Sequence, residues 1–490
     1  MAEALAVEVA ATVLVKLSSA AFQEICSMWG VRDEVEKLNE TLMVIQAVLV
    51  DAEEQQLHNR EITFWLRKFK VFPKDCEFGG SGLISMWMAN GLLQSSNTSE
   101  EPEDIGNRYI HELWSRSFFQ QLIGNVFQFK FKMHDLVHDL ALSVAQNEVS
   151  SYNHHSTGNV RHLWFDLSGQ DASLSPNNTG HLRTLILKSS EEGKADSKPL
   201  IAEYISKSKH LRVLDLGGCN LDQYPNGISY LKHLRFLDLG DNDNIKELPN
   251  SICNLQSLET LYFMGCKGIE ELPKDIRCMI SLRALYITIK QTSLQGNGIG
   301  CLTSLRILVL SECENLKYFF EDMQSLTALR TFVIMKCKNL ISLPQGLKYL
   351  TALETLAIFD CEKLDLCMEL ELGGKEDGSL RKLFIGGLPK VESLPQWIVL
   401  GSTKTLQELW IVEMKNLLML PTWFQNLTSL QKLVIGDCPK LAYLPEGMQH
   451  LTALKELTIV ECPLLGERCM EETGEDWPKI AHVPHINLIN

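Results

Sequence analysis

From Leu182 to near the end of the chain, the apolar positions obey one short rule. The segments HLRVLDLGGC (210–219), SLETLYFMGC (257–266), SLRILVLSEC (304–313), ALRTFVIMKC (328–337), ALETLAIFDC (352–361), SLQKLVIGDC (429–438) and ALKELTIVEC (453–462) align on L-x-x-L-x-L/I-x-x-C/N. We number this frame from its first leucine as positions one to nine. Position one falls at residues 182, 211, 234, 258, 282, 305, 329, 353, 380, 406, 430 and 454; most steps are 23–24 residues, and the longer ones are 29, 27 and 26. Twelve copies at a near-constant period predict a stack of small units, each adding one short strand to its neighbour. Positions four and six (Leu214/Leu216, Leu261/Phe263, Leu308/Leu310, Leu356/Ile358, Leu433/Ile435) share one face of that strand and enter the core. Position nine is Cys219, Cys266, Cys313, Cys337, Cys361, Cys438 or Cys462, and Asn242 in one repeat. A small side chain there can pack or bond against the turning backbone, so these thiols are expected to be a buried ladder and not metal or redox centres. A Leu-Pro step follows at Pro249, Pro273, Pro344, Pro395, Pro421 and Pro445. Proline cannot donate to a ladder, so it starts the segment opposite the strands.

The period is that of a leucine-rich repeat, which predicts a horseshoe solenoid over 181–490 with its strands lining the concave face. Position five lies between the two core positions and points outward. Down the array it reads Asp215, Asp238, Tyr262, Tyr286, Val309, Val333, Ala357, Phe384, Trp410, Val434 and Thr458. This row is a candidate partner-binding strip, with Asp215 and Asp238 selecting basic patches and Tyr262, Tyr286, Phe384 and Trp410 as exposed anchors. The plainer alternative is that these residues only cover the sheet. The repeat Leu282–Cys301 lacks the Leu-Pro step and is expected to mark a bend or a loop.

The N-terminal pattern is helical. Val31, Val35, Leu38, Leu42, Ile45, Leu49 and Ala52 step by four and three among charged residues, which is a heptad-like seam. An earlier helix is expected over about Glu3–Trp29, and a third near Glu61–Lys70 with Ile62, Trp65, Leu66 and Phe69 on one side. Short connections predict an antiparallel bundle. Farther on, VFQFKFKM (126–133) alternates like a strand, HDLVHDLALSVAQ reads as a helix, and 95–104 (SSNTSEEPED) reads as a polar surface loop. Segment 149–180 reads as a connector with one degenerate capping repeat around RHLWFDL.

Composition narrows the function classes. The 490 residues carry a formal charge of −15, which argues against broad electrostatic binding to nucleic acid or anionic membrane. No run of about 18 apolar residues and no positively charged leader is visible, so a soluble intracellular chain is expected. None of the fourteen cysteines forms a CxxC pair. His134 and His138 share one helix face, as zinc binding needs, but no third ligand is evident. No nucleophile elbow, spaced metal ligands or convergent carboxylates appear, so no catalytic role is expected.

Three ordered strings carry a family resemblance. MAEALAVEVAATVLVKL, LNETLMVIQAVLVDAEEQQ and WLRKFK, within residues 1–70, resemble the N-terminal coiled-coil domain of plant NLR (CC-NB-LRR) disease-resistance proteins. FPKDCEF, LISMWMANGLL and KMHDLVHDLA resemble the winged-helix part of that family's nucleotide-binding (NB-ARC) module. The resemblance implies a multidomain α plus α/β chain: helical bundle 1–70, winged helix 71–148, connector 149–180, solenoid 181–490. It also implies that His134 and Asp135 of the Met133-His134-Asp135 motif lie beside bound ADP. The phosphate loop is missing, however. GK occurs only at Gly193-Lys194 and Gly374-Lys375, neither followed by Ser or Thr, and there is no Asp-Asp pair. In the family, roughly two hundred residues separate the bundle from the winged helix; here they meet at Lys70–Val71. The implied function is a cytoplasmic immune receptor whose solenoid recognises a pathogen effector or a guarded host protein. Helper or self-association would run through the N-terminal bundle, without nucleic acid or an integral membrane span. The alternatives are an ADP/ATP-dependent switch, or a splice or pseudogene form with no independent role.

Overall fold

The computed structural model describes residues 78–93, 100–115, 118–122, 130–133, 149–151, 160–167, 179–189, 198–294, 298–320, 322–366, 378–399 and 401–489. The predicted N-terminal helices, the helix after Met133, and His134 and Asp135 lie outside them. The chain divides into two compact units. One comprises Met1–Asp166, Leu174–Ile186 and His210–Leu214; the other comprises Leu167–Ser173, Leu187–Lys209 and Asp215–Asn490.

In the first unit, strands β1 (Phe78–Gly79), β2 (Phe119–Leu122) and β3 (Lys130–Met133) form an antiparallel sheet in the order β1-β3-β2. Helix α1 (Gly80–Asn90) buries Leu83, Ile84, Met86 and Trp87 and ends on Gly91 at φ 70°, a conformation open to glycine. Helix α2 (Pro102–Ser115) starts inside the stretch expected as a loop. Pro102 presets the helical φ, and Glu103 and Asp104 complement the positive end of the helix dipole, so the polar acidic run is a helix start. A Cβ on Gly106 would lie 2.6 Å from Ile84 Cγ2, which is how closely the two helices approach. Phe118 and Phe119 are buried, whereas Trp114 is 38% exposed. Strands β4 (Val149–Ser151) and β5 (His162–Asp166) pair in parallel, so the degenerate repeat around RHLWFDL is a real strand. Strands β6 (Thr184–Lys188) and β7 (Val213–Asp215) open the regular array. The Thr184 hydroxyl donates to Asn90 Oδ1 (3.3 Å) and the Arg212 guanidinium to the Asn90 carbonyl (3.4 Å), tying the first repeats to the end of α1.

In the second unit, helix α3 (Lys198–Lys207) buries Ile201, Tyr204 and Ile205. The repeats then add β8 (Phe236–Asp238), β9 (Thr260–Phe263), β10 (Ala284–Ile287), β11 (Ile307–Ser311), β12 (Thr331–Met335) and β13 (Thr355–Phe359). They continue with β14 (Lys382–Gly386), β15 (Glu408–Val412), β16 (Lys432–Gly436) and β17 (Glu456–Val460). Strand β18 (His485–Ile489) closes the order. Each pairs with the next in parallel, and position five meets position five throughout, as in Tyr262↔Tyr286↔Val309 and Phe384↔Trp410↔Val434. The position-two carbonyl receives two N–H groups from the next repeat; Arg306 O, for example, accepts from Arg330 and Thr331 at 2.9 Å each.

Positions four and six are fully buried along the whole array. Position nine behaves as the sequence predicts. Cys266 Sγ donates to Leu239 O (2.9 Å), Cys219 Sγ to Leu187 O (3.3 Å) and Cys361 Sγ to Phe359 O (3.3 Å). Burial pushes the Cys266 thiol up to about 12, so it stays a donor. Asn242 does more: its amide donates to Leu216 O (3.0 Å), Leu239 O (2.7 Å) and Gly240 O (3.0 Å), and its oxygen accepts from Leu221 N–H (2.8 Å). Position eight turns the chain through the left-handed region, on Gly218, Gly265 and Gly387 but also on Asp241, Glu312, Lys336, Asp360, Glu413, Asp437 and Glu461 at φ 46–55°. In the irregular repeat this position is Ile289, a β-branched residue that takes no positive φ. Strand β10 is regular there, and the departure begins only after it, with an isolated bridge Ser293↔Tyr318 replacing the usual turn. Short 3-10 turns follow the prolines; Pro249, Pro344 and Pro421 precede them with φ between −68° and −72°.

A polar network closes the C-terminal end. Asp476 is 1% exposed, yet it accepts from Leu444 N–H (2.8 Å), Arg468 Nε (3.2 Å) and Lys479 Nζ (3.0 Å). Burial alone would raise this carboxyl; Arg468, Leu444 N–H and Lys479 outweigh it and hold its pKa below the ordinary range.

Two stability outcomes follow. Asn242→Ala should cost about 2 kcal/mol in urea unfolding, because the buried Leu221 N–H loses its acceptor and the Leu216, Leu239 and Gly240 carbonyls each lose one of two donors, while Asn242→Cys should recover at least half of that. A folded-state carboxyl pKa below the unfolded value stabilises above that unfolded value, about 4, and the gain is lost as pH falls through the folded pKa. Asp476→Asn should therefore cost about 3 kcal/mol at pH 7 and flatten the acid limb of the unfolding midpoint.

Candidate protein-recognition face

The outward face of the strands has three rows, at positions three, five and seven, because side chains alternate along each strand. Neighbouring strands stand about 4.8 Å apart, so each side chain of a row is flanked by its equivalents above and below. That spacing corrects part of the expected strip. Asp215 (4% exposed), Tyr286 (8%) and Phe384 (4%) are buried, not exposed anchors; Asp238, Tyr262 and Trp410 keep half-buried surfaces. Tyr262 and Tyr286 stack at 4.8 Å between ring centroids, and Phe384 meets Trp410 edge-on at 5.9 Å.

The acidic end is not free to select basic partners as expected. Lys188, at position seven of the first repeat, places its ammonium 2.7 Å from Asp215 Oδ1, which also accepts from Gly217 N–H (3.0 Å). Burial works against the Lys188 ammonium, but Asp215 and Asp238 outweigh it and hold its pKa above the ordinary value. Asp238 Oδ1 accepts from Gly240 N–H at 2.7 Å. Burial, then the neighbouring Asp215 charge, push the Asp238 carboxyl up to about 8 against the opposing pull of Lys188 and Gly240 N–H. Asp238 is thus a carboxyl that holds its proton more tightly than usual, beside the Lys188–Asp215 ion pair, and not half of an acidic patch.

The other end is organised around Trp410. Its indole Nε1–H donates to Glu408 Oε1 at 2.8 Å, and Lys432 Nζ lies 5.7 Å from its ring centroid. Glu408 and Lys432 belong to a position-three row of alternating sign, Lys382, Glu408, Lys432, Glu456, with ion pairs at 3.4 Å (Lys382–Glu408) and 2.9 Å (Lys432–Glu456). The half-buried Phe359, Val412 and Val460 add apolar surface at position seven. The sequence reading followed position five alone and missed Lys188 and this charged row; reading positions three and seven in the same frame would have found both.

Charge also separates across the face. Position two, before each strand, holds Arg183, Arg212, Arg235, Arg283, Arg306, Arg330 and Arg381, interrupted by Glu259 and Glu354. Position eight, after the strands, holds Asp241, Glu312, Asp360, Glu413, Asp437 and Glu461, interrupted by Lys336, Ile289 and three glycines. Parallel strands put all starts on one edge and all ends on the other, so the face is cationic along one margin and anionic along the other. Among the described residues, no group of three or more His, Cys, Asp or Glu is arranged to hold a metal ion.

The Asp238 assignment has a sign that can be checked. A carboxyl with a raised folded pKa binds its proton more tightly when folded, so its stabilising contribution is present below the unfolded value and fades as pH rises from about 4 toward 8. Asp238→Asn should remove that decline between pH 5 and 8 in a thermal-unfolding series; an unchanged decline would place the titration elsewhere.

The chain matches the Rx N-terminal domain over residues 9–77, the disease resistance protein winged helix domain over 71–141 and a leucine-rich repeat region over 181–418. It is 34% identical over 161 residues to the disease resistance protein RGA2 of Solanum bulbocastanum, covering 33% of this chain and 14% of that protein. It is 28% identical over 169 residues to the disease resistance protein RPM1 of Arabidopsis thaliana, covering 32% and 17%. The chain thus aligns with about one seventh of the length of the RGA2 relative. A leucine-rich-repeat protein of Leptospira interrogans superposes with a TM-score of 0.39 at 21% identity, covering 67% of this chain and 90% of the other. In these matches the chain carries the N-terminal, winged-helix and leucine-rich-repeat segments of plant CC-NB-LRR-type disease-resistance proteins, with the first two adjoining and most of the NB-ARC module absent between them.

Proposed function

We propose that this chain is a non-catalytic plant immune receptor component that binds a protein ligand, a pathogen effector or a guarded host protein, through the outward face of its solenoid strands. The observation that carries the proposal is the Trp410 cluster. An indole held by Glu408, Lys432 and Phe384 loses little freedom when a partner covers it, and preorganised aromatics are the usual source of interface affinity. The opposed charged margins would orient a partner lying along the array and speed its encounter. No membrane-crossing helix occurs among the described residues, in keeping with a partner met in the cytoplasm.

In this reading the chain works without nucleotide, since GK[ST] is missing from its sequence. The family's ADP-dependent switch survives only in the Met133-His134-Asp135 string, and ADP retained through purification would favour that second reading.

Trp410→Ala tests the face. Against a ligand captured with the full chain from challenged tissue and then purified, the variant should bind about 30-fold more weakly, the effect of losing about 2 kcal/mol at an aromatic anchor. Its unfolding midpoint should change little. Equal affinity for both proteins would rule out this face as the interface.

A further inference from the structure

Eleven cysteines lie in the described residues, all of them free thiols, and nine are buried. The two exposed ones, Cys278 and Cys301, are not scattered. Cys278 ends the 3-10 turn Ile276–Cys278 and Cys301 ends the 3-10 turn Ile299–Cys301. Each directly precedes the buried residue that closes its turn, Met279 or Leu302, so they occupy the same place in consecutive repeats. Side chains at one place in parallel turns point the same way and lie side by side.

The turns of this stack are in direct contact. A Cβ built on Gly298 would lie 2.9 Å from Cβ of Arg277, so the chain three residues before Cys301 runs directly against the residue before Cys278. Ser229 Oγ and Ser251 Oγ meet at 2.9 Å across two neighbouring turns, and Asn250 Nδ2 reaches Asp275 Oδ2 at 3.1 Å across the next pair. The buried Cys253 lies near enough to feel Cys278: burial, Asp275 and Cys278 together push its thiol up to about 12, which keeps it unreactive at neutral pH. Gly300, next to Cys301, has the Asp322 carboxyl group packed against it.

We propose that Cys278 and Cys301 are a modification site, a surface thiol pair that closes to a reversible disulfide between two consecutive turns when a hydroperoxide is supplied. The thiolate of one cysteine attacks a peroxide oxygen, giving a sulfenic acid and releasing hydroxide, which takes up a proton as water (or an alcohol from an alkyl hydroperoxide). The second thiolate attacks that sulfur, the S–S bond forms, and the sulfenic oxygen leaves as a second water. Two thiols lose two electrons and two protons; the peroxide is reduced. A dithiol reverses the step by exchange through a mixed disulfide. The ladder thiols at position nine take no part, since they are buried and spent as donors to carbonyls. This site is independent of the strand face, and it lies on the opposite, proline-initiated side of the repeat.

The test uses the full chain treated with hydrogen peroxide, alkylated, digested without reduction and read by mass spectrometry. The expected product is one cross-linked peptide pair joining Cys278 to Cys301, about 2 Da lighter than the sum of its reduced halves, and lost on dithiothreitol treatment. Cys278→Ser should abolish it and leave Cys301 trapped as a sulfenic acid by dimedone, whereas Cys219→Ser, an interior substitution, should leave the cross-link in place. Recovery of both cysteines as separate oxidised or unmodified peptides, or cross-linked only between molecules, would overturn the proposal. If the Ser variant fails to fold, the wild-type peptide map alone decides it.

Discussion

The turn that ends each strand directs carbonyl groups toward the buried interior at position nine. In most repeats a small donor there fits between two turns and satisfies them, and Leu388 and Met414 fill the place with apolar bulk in two others. Cys and Asn are the small side chains that can do so, and the chain uses one or the other in most repeats. Asn242 reaches three carbonyls and one N–H, while a thiol reaches one or two carbonyls, at 2.9 Å from Cys266 and at 3.3 Å or more from Cys219, Cys361 and Cys438. The ladder fixes the spacing between turns. That spacing keeps positions four and six in register as a continuous core, and it brings the position-five side chains close enough to bury one another.

This burial changes what the outward face can offer. Side chains that look exposed from alternation alone become the floor of the face, and the accessible chemistry moves to its flanks. Asp215 is held by Lys188 and covered, whereas Trp410, braced from both neighbouring strands, keeps surface for a partner. An isolated strand offers alternate residues; a stacked array offers only what its neighbours leave uncovered.

The fold was legible where one rule repeats. The leucine frame located the strands, the position-nine ladder and the proline-initiated turns, because each follows from a residue type at a fixed offset. The candidate site was legible only in outline. Position five marked the outward face of the strands, but its exposure depends on the size of the residues on adjacent strands, at sequence distances of 23–29, and on ion partners such as Lys188 in another row. The start of α2 was misread because an acidic, proline-containing run looks the same as a loop until the helix it caps is seen. The Asp476 network gave no pattern at all: its members lie 8, 32 and 3 residues apart and meet only because the last turns fold over the end of the core.

The left-handed turn at position eight has a consequence for how such a chain can change over generations. Glycine would be the least strained residue there, yet seven repeats carry a longer side chain, six of them acidic. Because every strand runs the same way, each of those carboxylates is added to the same margin, and the arginines of position two to the other. The transverse field is thus a sum over repeats, and no single residue owns it. Duplicating or deleting one repeat would alter its strength by a small fraction and leave its direction intact, while shifting an anchor such as Trp410 along the partner by one turn. If the proposed face is the binding face, a lineage could exchange its partner by gaining or losing a repeat and keep, throughout, the polarity of the two margins.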